Sequence, residues 1–140
     1  MQVGIYFRHM LNQKNILVVE DERPLLEAIK TKMEKAGFEV TTARTVEQAL
    51  NYLTDLERVD AIWLDHYLLG KENGLDFVTQ LKREGGEWSH IPIFVVSNTA
   101  SPDKVQSYIR LGVNKYYVKA EHRLDEMIQE IETLLDHPEE

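Results

Sequence analysis

The chain has 140 residues, and its 43% hydrophobic and 29% charged residues are typical of one soluble globular domain with a substantial core. Its net charge of −8 argues against a basic surface for nucleic acid or anionic membranes, and the absence of cysteine excludes disulfides and thiolate metal sites. No apolar stretch approaches the roughly 20 residues that span a bilayer, and the N-terminus does not resemble a secretory signal. We therefore expect a cytoplasmic protein with neither nucleic acid nor membrane as a partner.

The first part of the chain predicts a strand, a helix and a second strand. The apolar run over 15–19 is typical of a buried strand. Apolar residues then recur at helical spacing, which predicts a helix with Pro24 in its first turn and Gly37 as its stop signal. The segment 38–43 predicts the second strand.

The middle of the chain continues this alternation. Thr45 is expected to cap a helix over Val46–Asp55, and Gln48 is expected to complete a capping box with it. The apolar run over 59–64 predicts the third strand. After a polar loop, apolar residues at helical spacing predict a third helix, which is expected to end at Gly85.

The last part predicts two more strands and two more helices. The run over 91–96 predicts the fourth strand, and Ser101 is expected to cap the helix that follows it. Gly112 ends that helix, and 113–118 predicts the fifth strand. An amphipathic pattern over 124–135 predicts the final helix.

Five strand–helix units of this kind predict a doubly wound α/β fold. The strands are apolar on both faces, which is typical of a parallel sheet that is covered by helices on both sides. Residues 1–13 precede the pattern, so we interpret them as an N-terminal extension of unknown role before a single domain over 14–140.

Polar and charged side chains follow four of these strands, at the point where each strand ends. They are Glu20, Asp21, Asp65, Ser97 and Lys119. The carboxyl ends of parallel strands meet at one edge of an open α/β sheet, where ligands bind. A buried carboxylate is costly unless something binds it. Three carboxylates, a hydroxyl and an ammonium would suit a divalent metal ion and a phosphoryl group.

Each of these residues also has an ordinary explanation when taken alone. Acids such as Glu20 and Asp21 favour helix N-termini, and Asp65 could cap a turn. Lys119 could be a surface lysine and Ser97 a turn residue. Four such coincidences at one sheet edge make the ordinary explanations the weaker interpretation.

The ordered set resembles the response-regulator receiver domain, a family that includes single-domain chemotaxis regulators. The resemblance covers about residues 14–136 and rests on the acid pair in Val19-Glu20-Asp21-Glu22, on Asp65, and on Ser97 and Lys119 after their apolar runs. It implies a flavodoxin-like (βα)5 fold with a five-stranded parallel sheet of strand order 2-1-3-4-5.

The resemblance also implies a role for the acceptor and its neighbours. Asp65 would be the nucleophile that accepts a phosphoryl group as an acyl phosphate. Lys119 and the Ser97 hydroxyl would hold the phosphoryl oxygens. Ser97 and Tyr116 would form a switch, in which Tyr116 changes its rotamer when Ser97 moves.

A Mg²⁺ site is implied as well, because a carboxylate and an anionic donor repel one another unless a cation bridges them. Asp21 and Asp65 would bind Mg²⁺ directly, Glu20 would act mainly through water, and the Tyr67 backbone carbonyl would supply another oxygen. His66, which follows Asp65, is expected to face the loop and to have no catalytic role.

The chain departs from the family pattern at several positions. Ala120 follows the lysine where proline is usual, Asn98 follows the hydroxyl where a small residue is usual, and Asn73-Gly74 replaces Asp-Gly. None of these changes removes a required functional group. The resemblance implies a cis lysine–proline bond that helps to aim the ammonium at the site. A non-proline cis bond costs about 2.5–4 kcal/mol, so with Ala120 we expect a trans Lys119–Ala120 bond and a less firmly held Lys119.

The resemblance thus implies a stand-alone receiver in a two-component phosphorelay: a phosphoprotein switch rather than an enzyme. Its phosphoryl donor would be a sensor histidine kinase or a histidine phosphotransfer protein, and its output would be contact with a downstream protein. One alternative is a small phosphatase with Asp65 as its nucleophile, but that site needs a second acid where this chain has Tyr67. Another is a degenerate receiver that binds a partner without phosphorylation, against which the retention of Asp21, Asp65, Ser97 and Lys119 argues.

Overall fold

Five strands and five helices alternate along the chain in a computed structural model, which describes residues 13–83, 85–99 and 101–136. The strands are β1 (Asn15–Val19), β2 (Glu39–Ala43), β3 (Ala61–Leu64), β4 (Ile93–Ser97) and β5 (Lys115–Val118). The helices are α1 (Arg23–Lys35), α2 (Val46–Asp55), α3 (Gly74–Leu81), α4 (Pro102–Arg110) and α5 (Leu124–Asp136). A short 3-10 turn, Lys119–Glu121, follows β5. The predicted N-terminal extension lies outside the described residues, apart from its last position.

The strands form one parallel sheet in the order β2-β1-β3-β4-β5. This order confirms the predicted doubly wound fold. Helices α2, α3 and α4 pack on one face of the sheet, and α1 and α5 pack on the other. Successive strand residues alternate between the two cores, and the predicted core residues Trp63 and Phe94 are both buried on the α1–α5 side.

Four strands begin later than their apolar runs predict, and the early residues have other roles. The Asp60 carboxylate accepts hydrogen bonds from the Asn15 backbone N–H at 2.7 Å and from Arg58 Nε at 2.7 Å. Pro92 has no N–H to donate to a sheet. Asn114 accepts a hydrogen bond from the Ile93 backbone at 3.0 Å through its side chain, just before β5.

The helix caps agree with the sequence except in one contact and one boundary. The Thr45 hydroxyl oxygen accepts a hydrogen bond from the Gln48 backbone N–H at 3.0 Å. The Gln48 side-chain oxygen accepts from the Arg44 backbone N–H at 2.7 Å rather than from that of Thr45, so the predicted capping box is only half formed. Ser101 caps α4 as predicted. Helix α3 ends at Leu81, before the predicted stop at Gly85. Within the described ranges, none of the helices is long and apolar enough to cross a membrane.

Candidate functional site

Three carboxylates meet at the carboxyl edge of the sheet. One oxygen each from Glu20, Asp21 and Asp65 lies within 4.8 Å of the others. The backbone fixes these positions, because the Asp65 N–H donates to the Val19 carbonyl at 2.9 Å and the Glu20 N–H donates to the Ala43 carbonyl at 2.9 Å. Glu20 is fully buried and Asp65 is 5% exposed. The sheet register therefore brings together the three acids that the sequence predicted as one site.

Lys119 reaches the same cluster from the end of β5. Its Nζ lies 3.0 Å from Glu20 Oε1 and 3.7 Å from Asp65 Oδ1. The Lys119–Ala120 peptide is trans, as expected, since the described part of the chain contains no cis bond. The trans peptide still lets the Lys119 ammonium contact two carboxylates, and the expected weaker hold on Lys119 stays a prediction.

The electrostatics of the cluster disfavour a charged Asp65 when no cation is bound. Burial and, secondly, the nearby Glu20 carboxylate raise the pKa of Asp65 from 3.8 to about 7, against an opposing effect of Lys119. Three carboxylates against one ammonium leave an excess of negative charge. An all-oxygen donor set with such an excess fits Mg²⁺, which prefers hard oxygen ligands.

The two oxygens of Glu20 are already occupied by protein donors. Its Oε1 accepts from Lys119 Nζ, and its Oε2 accepts from the Glu22 backbone N–H at 3.2 Å. Asp21 is only partly buried, and its backbone carbonyl accepts from the Arg44 guanidinium at 2.9 and 3.1 Å. This difference favours Asp21 over Glu20 as a direct metal ligand.

The predicted switch residues Ser97 and Tyr116 are linked through Thr99. Ser97 ends β4 and is fully buried, and its Oγ accepts from the Thr99 N–H at 3.5 Å. The Tyr116 hydroxyl donates to the Thr99 carbonyl at 2.6 Å. Both side chains are therefore tied to the loop between β4 and α4.

Lys104, which sequence reasoning missed, joins two loops at the edge where the acids lie. Its Nζ donates to the Tyr67 hydroxyl at 2.8 Å and to Thr99 Oγ1 at 2.7 Å, and it lies 4.4 Å from the centre of the Tyr67 ring. Tyr67 itself is 53% exposed. The position of Lys104 in the first turn of α4, just after the β4 loop, is the signal that could have identified it.

The prediction that His66 faces the loop is wrong. His66 is 7% exposed, and its Nδ1 lies 2.6 Å from the hydroxyl of Tyr108, which is fully buried in α4. Burial, followed by the charge of Lys104, lowers the pKa of His66, and burial raises the pKa of Tyr108. The ring nitrogen of His66 and the hydroxyl of Tyr108 therefore form a buried hydrogen bond, whose direction depends on the imidazole tautomer.

Known proteins resemble this chain in sequence and in fold. A family model described as the response regulator receiver domain matches residues 16–132. The phosphate regulon transcriptional regulatory protein PhoB of Pseudomonas aeruginosa is 32% identical over 106 residues, which cover 76% of this chain and 45% of that protein. The alginate biosynthesis transcriptional regulatory protein AlgB of Pseudomonas syringae is 32% identical over 108 residues, which cover 77% of this chain and 23% of that protein. The chain thus spans about half the length of these relatives or less.

Solved structures agree with the family match. The phosphorylated cyanobacterial phytochrome response regulator RcpA is 26% identical with a TM-score of 0.78, over 90% of this chain and 96% of that chain. A CheY-like receiver domain protein from Methanospirillum hungatei has a TM-score of 0.80 at 22% identity, over 91% of this chain and 98% of that chain, and shows the shared fold. With the family model covering most of the sequence, these findings show that the chain belongs to the response regulator receiver domain family of two-component signalling proteins.

Proposed function

We propose that Asp65 accepts a phosphoryl group from a sensor histidine kinase or a histidine phosphotransfer protein, and that this change switches the protein's contacts with a downstream protein. One observation carries the proposal: the Asp65 carboxylate lies beside two further carboxylates and 3.7 Å from the Lys119 ammonium, at the ligand-binding edge of the sheet. The net charge of −8 supports a protein rather than a nucleic acid as the target of this chain.

The chemistry is a nucleophilic substitution at phosphorus. An Asp65 carboxylate oxygen forms a bond to phosphorus as the bond between phosphorus and the donor histidine nitrogen breaks, which leaves an acyl phosphate and a free imidazole. Lys119 would bind one phosphoryl oxygen, and the Ser97 hydroxyl would donate to another. Transfer of this kind depends on positioning and charge stabilisation more than on acid–base chemistry.

The acids fit a Mg²⁺ ion that would assist this transfer. Asp21 and Asp65 would bind it directly, Glu20 would act through water because its oxygens are held by protein donors, and the Tyr67 carbonyl would add a ligand. When bound, Mg²⁺ would supply the positive charge that offsets repulsion between the acceptor carboxylate and the phosphoryl group.

Two other functions receive less support. A phosphatase of the aspartate-nucleophile type needs a second acid two residues after the nucleophile, but Tyr67 stands there and its hydroxyl binds Lys104. A receiver that acts without phosphorylation would not need Glu20, Asp65 and Lys119 in contact, yet they are in contact. The stand-alone organisation stays a prediction.

Incubation with acetyl phosphate and Mg²⁺, followed by intact mass measurement, tests the proposal. The wild-type chain should gain the mass of one phosphoryl group, and Asp65→Asn should gain none. Asp55→Asn is a matched control, because Asp55 is an exposed residue at the end of α2 and should not affect labelling. Equal labelling of wild type and Asp65→Asn would contradict the proposal.

A further inference from the structure

A buried hydrogen bond connects the loop after the acceptor to the fourth helix. His66 Nδ1 and Tyr108 Oη are 2.6 Å apart, although the two residues are 42 positions apart in the sequence. Both side chains are almost completely enclosed. Loss of either partner would leave a buried polar atom unsatisfied, so the bond resists separation of the loop from α4.

The first residue of α3 lies against the same hydroxyl. A Cβ atom at Gly74 would be 2.3 Å from Tyr108 Oη, 3.0 Å from His66 Cα and 3.1 Å from the Asp65 carbonyl oxygen. The Gly74 N–H also donates to the His66 carbonyl at 2.9 Å. The loop after Asp65, the start of α3 and the side chain of Tyr108 therefore meet without room for one methyl group. Because protein interiors are close-packed, backbone movement at Asp65 must displace one of these neighbours.

The contacts continue from Tyr108 to the predicted switch residue. The rings of Tyr108 and Tyr116 are 5.7 Å apart at their centres. Tyr116 in turn bonds the Thr99 carbonyl, and Thr99 bonds Ser97. A continuous chain of contacts thus runs around the site from the acceptor loop to the hydroxyl at the end of β4.

We propose that His66 and Tyr108 are positioning residues of the switch, which transmit a change at Asp65 directly to α4, in parallel with the movement of Ser97. This inference rests on the proposed function, because it requires two states of Asp65. Both routes, through the His66–Tyr108 bond and through Ser97, act on the same helix α4, where Ile109 is exposed. The coupling requires that the His66–Tyr108 contact differ between the two states, since only differential interactions shift a conformational equilibrium.

Four variants separate this role from a general effect on folding. Tyr108→Phe removes the hydroxyl, and His66→Leu removes the ring nitrogen, so each variant lacks one partner of the hydrogen bond. His66→Asn is the matched rescue, because its side-chain amide carries both an acceptor and a donor, either of which can occupy the place of Nδ1. Tyr52→Phe removes a hydroxyl from α2, outside this chain of contacts.

Two measurements on each full chain test the inference. The first is the phosphoryl mass gain with acetyl phosphate and Mg²⁺. The second is the change in amide hydrogen exchange over 102–110 when beryllofluoride and Mg²⁺, a mimic of the acyl phosphate, are added. We expect Tyr108→Phe and His66→Leu to keep the mass gain while the exchange response of α4 falls by about twofold or more. In His66→Asn and Tyr52→Phe, the exchange response of α4 should equal that of wild type. The double variant with both His66→Leu and Tyr108→Phe should lose no more of this response than either single variant.

The outcomes distinguish this inference from the proposed function. A wild-type α4 response in both Tyr108→Phe and His66→Leu would overturn the inference and leave the proposed function intact. Loss of exchange protection throughout the chain in both variants would show a merely structural bond and would also overturn it. Failure of the wild-type chain to gain a phosphoryl group would overturn the proposed function itself, and this inference with it.

Discussion

The Lys119 ammonium is shared between Glu20, at 3.0 Å, and Asp65, at 3.7 Å. The closer partner is the fully buried Glu20. Burial and the Glu20 charge raise the pKa of Asp65 despite the opposing effect of Lys119. A phosphoryl group on Asp65 would compete with Glu20 for the same ammonium. We therefore expect Lys119 to stabilise the resting protein and, in the proposed function, to bind phosphoryl oxygens as well.

Loss of this cation should destabilise the fold. We expect Lys119→Met to lower the free energy of unfolding by roughly 3–5 kcal/mol at neutral pH, because it leaves the buried Glu20 carboxylate without its cationic partner. Denaturant unfolding measures the change. Lys32→Met is the control: Lys32 pairs with Asp125 at the surface, and its loss should have a much smaller effect. Equal losses in the two variants would contradict the assigned role of Lys119.

The stability of the metal-free protein should fall as pH rises. Asp65 ionises near 3.8 in the unfolded chain and near 7 in the folded protein, so the folded state binds this proton more tightly. The resulting stabilisation is present below about pH 4 and is lost as pH rises towards 7, at about 1.4 kcal/mol for each unit of pKa difference.

Asp65→Asn should remove this dependence. In chelator, the variant should be more stable than wild type at pH 8 and about equally stable at pH 4, as measured by urea unfolding. Added Mg²⁺ should stabilise wild type at pH 8 more than the variant. Parallel pH profiles for the two proteins in chelator would show that the Asp65 carboxyl does not carry the effect.

Asp21 should matter more to Mg²⁺ affinity than Glu20. Both Glu20 oxygens accept from protein donors, whereas the partly buried Asp21 is better placed to bind an ion directly. We expect Asp21→Asn to weaken Mg²⁺ binding more than tenfold and Glu20→Gln to weaken it less. Quenching of the tryptophan fluorescence, to which Trp63 in β3 contributes two residues before Asp65, or calorimetry measures the affinity. The reverse order would overturn this ranking.

A methyl group at Gly74 should be poorly tolerated. Gly74→Ala would force its Cβ against the Tyr108 hydroxyl and the backbone of His66, and overpacking of this kind typically costs about 1–3 kcal/mol. The thermal midpoint should fall accordingly. Adding Tyr108→Phe to Gly74→Ala should recover part of the loss, because it removes the nearest clashing atom. If the loss of stability in the double variant equals the sum of the losses in the two single variants, the packing described here is contradicted.

The sheet and the acidic site could be predicted from sequence because both follow from local patterns. Apolar runs mark the strands, and the residue after each run falls at the same sheet edge once the strands are parallel. Strand starts were less predictable, because apolar neighbours such as Val59 and Ile91 precede the strands without pairing in them.

The contacts that were missed join distant parts of the chain. The burial of the loop residue His66 was missed because its partner, Tyr108, lies in a helix whose packing the sequence pattern does not specify. A local contact was missed as well: the Gln48 side chain accepts from the Arg44 N–H instead of the Thr45 N–H. The two N–H groups belong to neighbouring residues, and the backbone conformation there decides which of them the side chain reaches. Periodicity indicates which face of an element is buried, but not which polar groups meet there.

Location of the phosphoryl group at residue level tests the central claim most directly. After treatment with acetyl phosphate and Mg²⁺, borohydride reduces an acyl phosphate to an alcohol but leaves free carboxylates unchanged. Peptide mass spectrometry should then find one reduced residue, at Asp65, and none when a chelator replaces Mg²⁺. Reduction at another acid, or an unmodified Asp65 in a protein that has gained phosphoryl mass, would contradict the account.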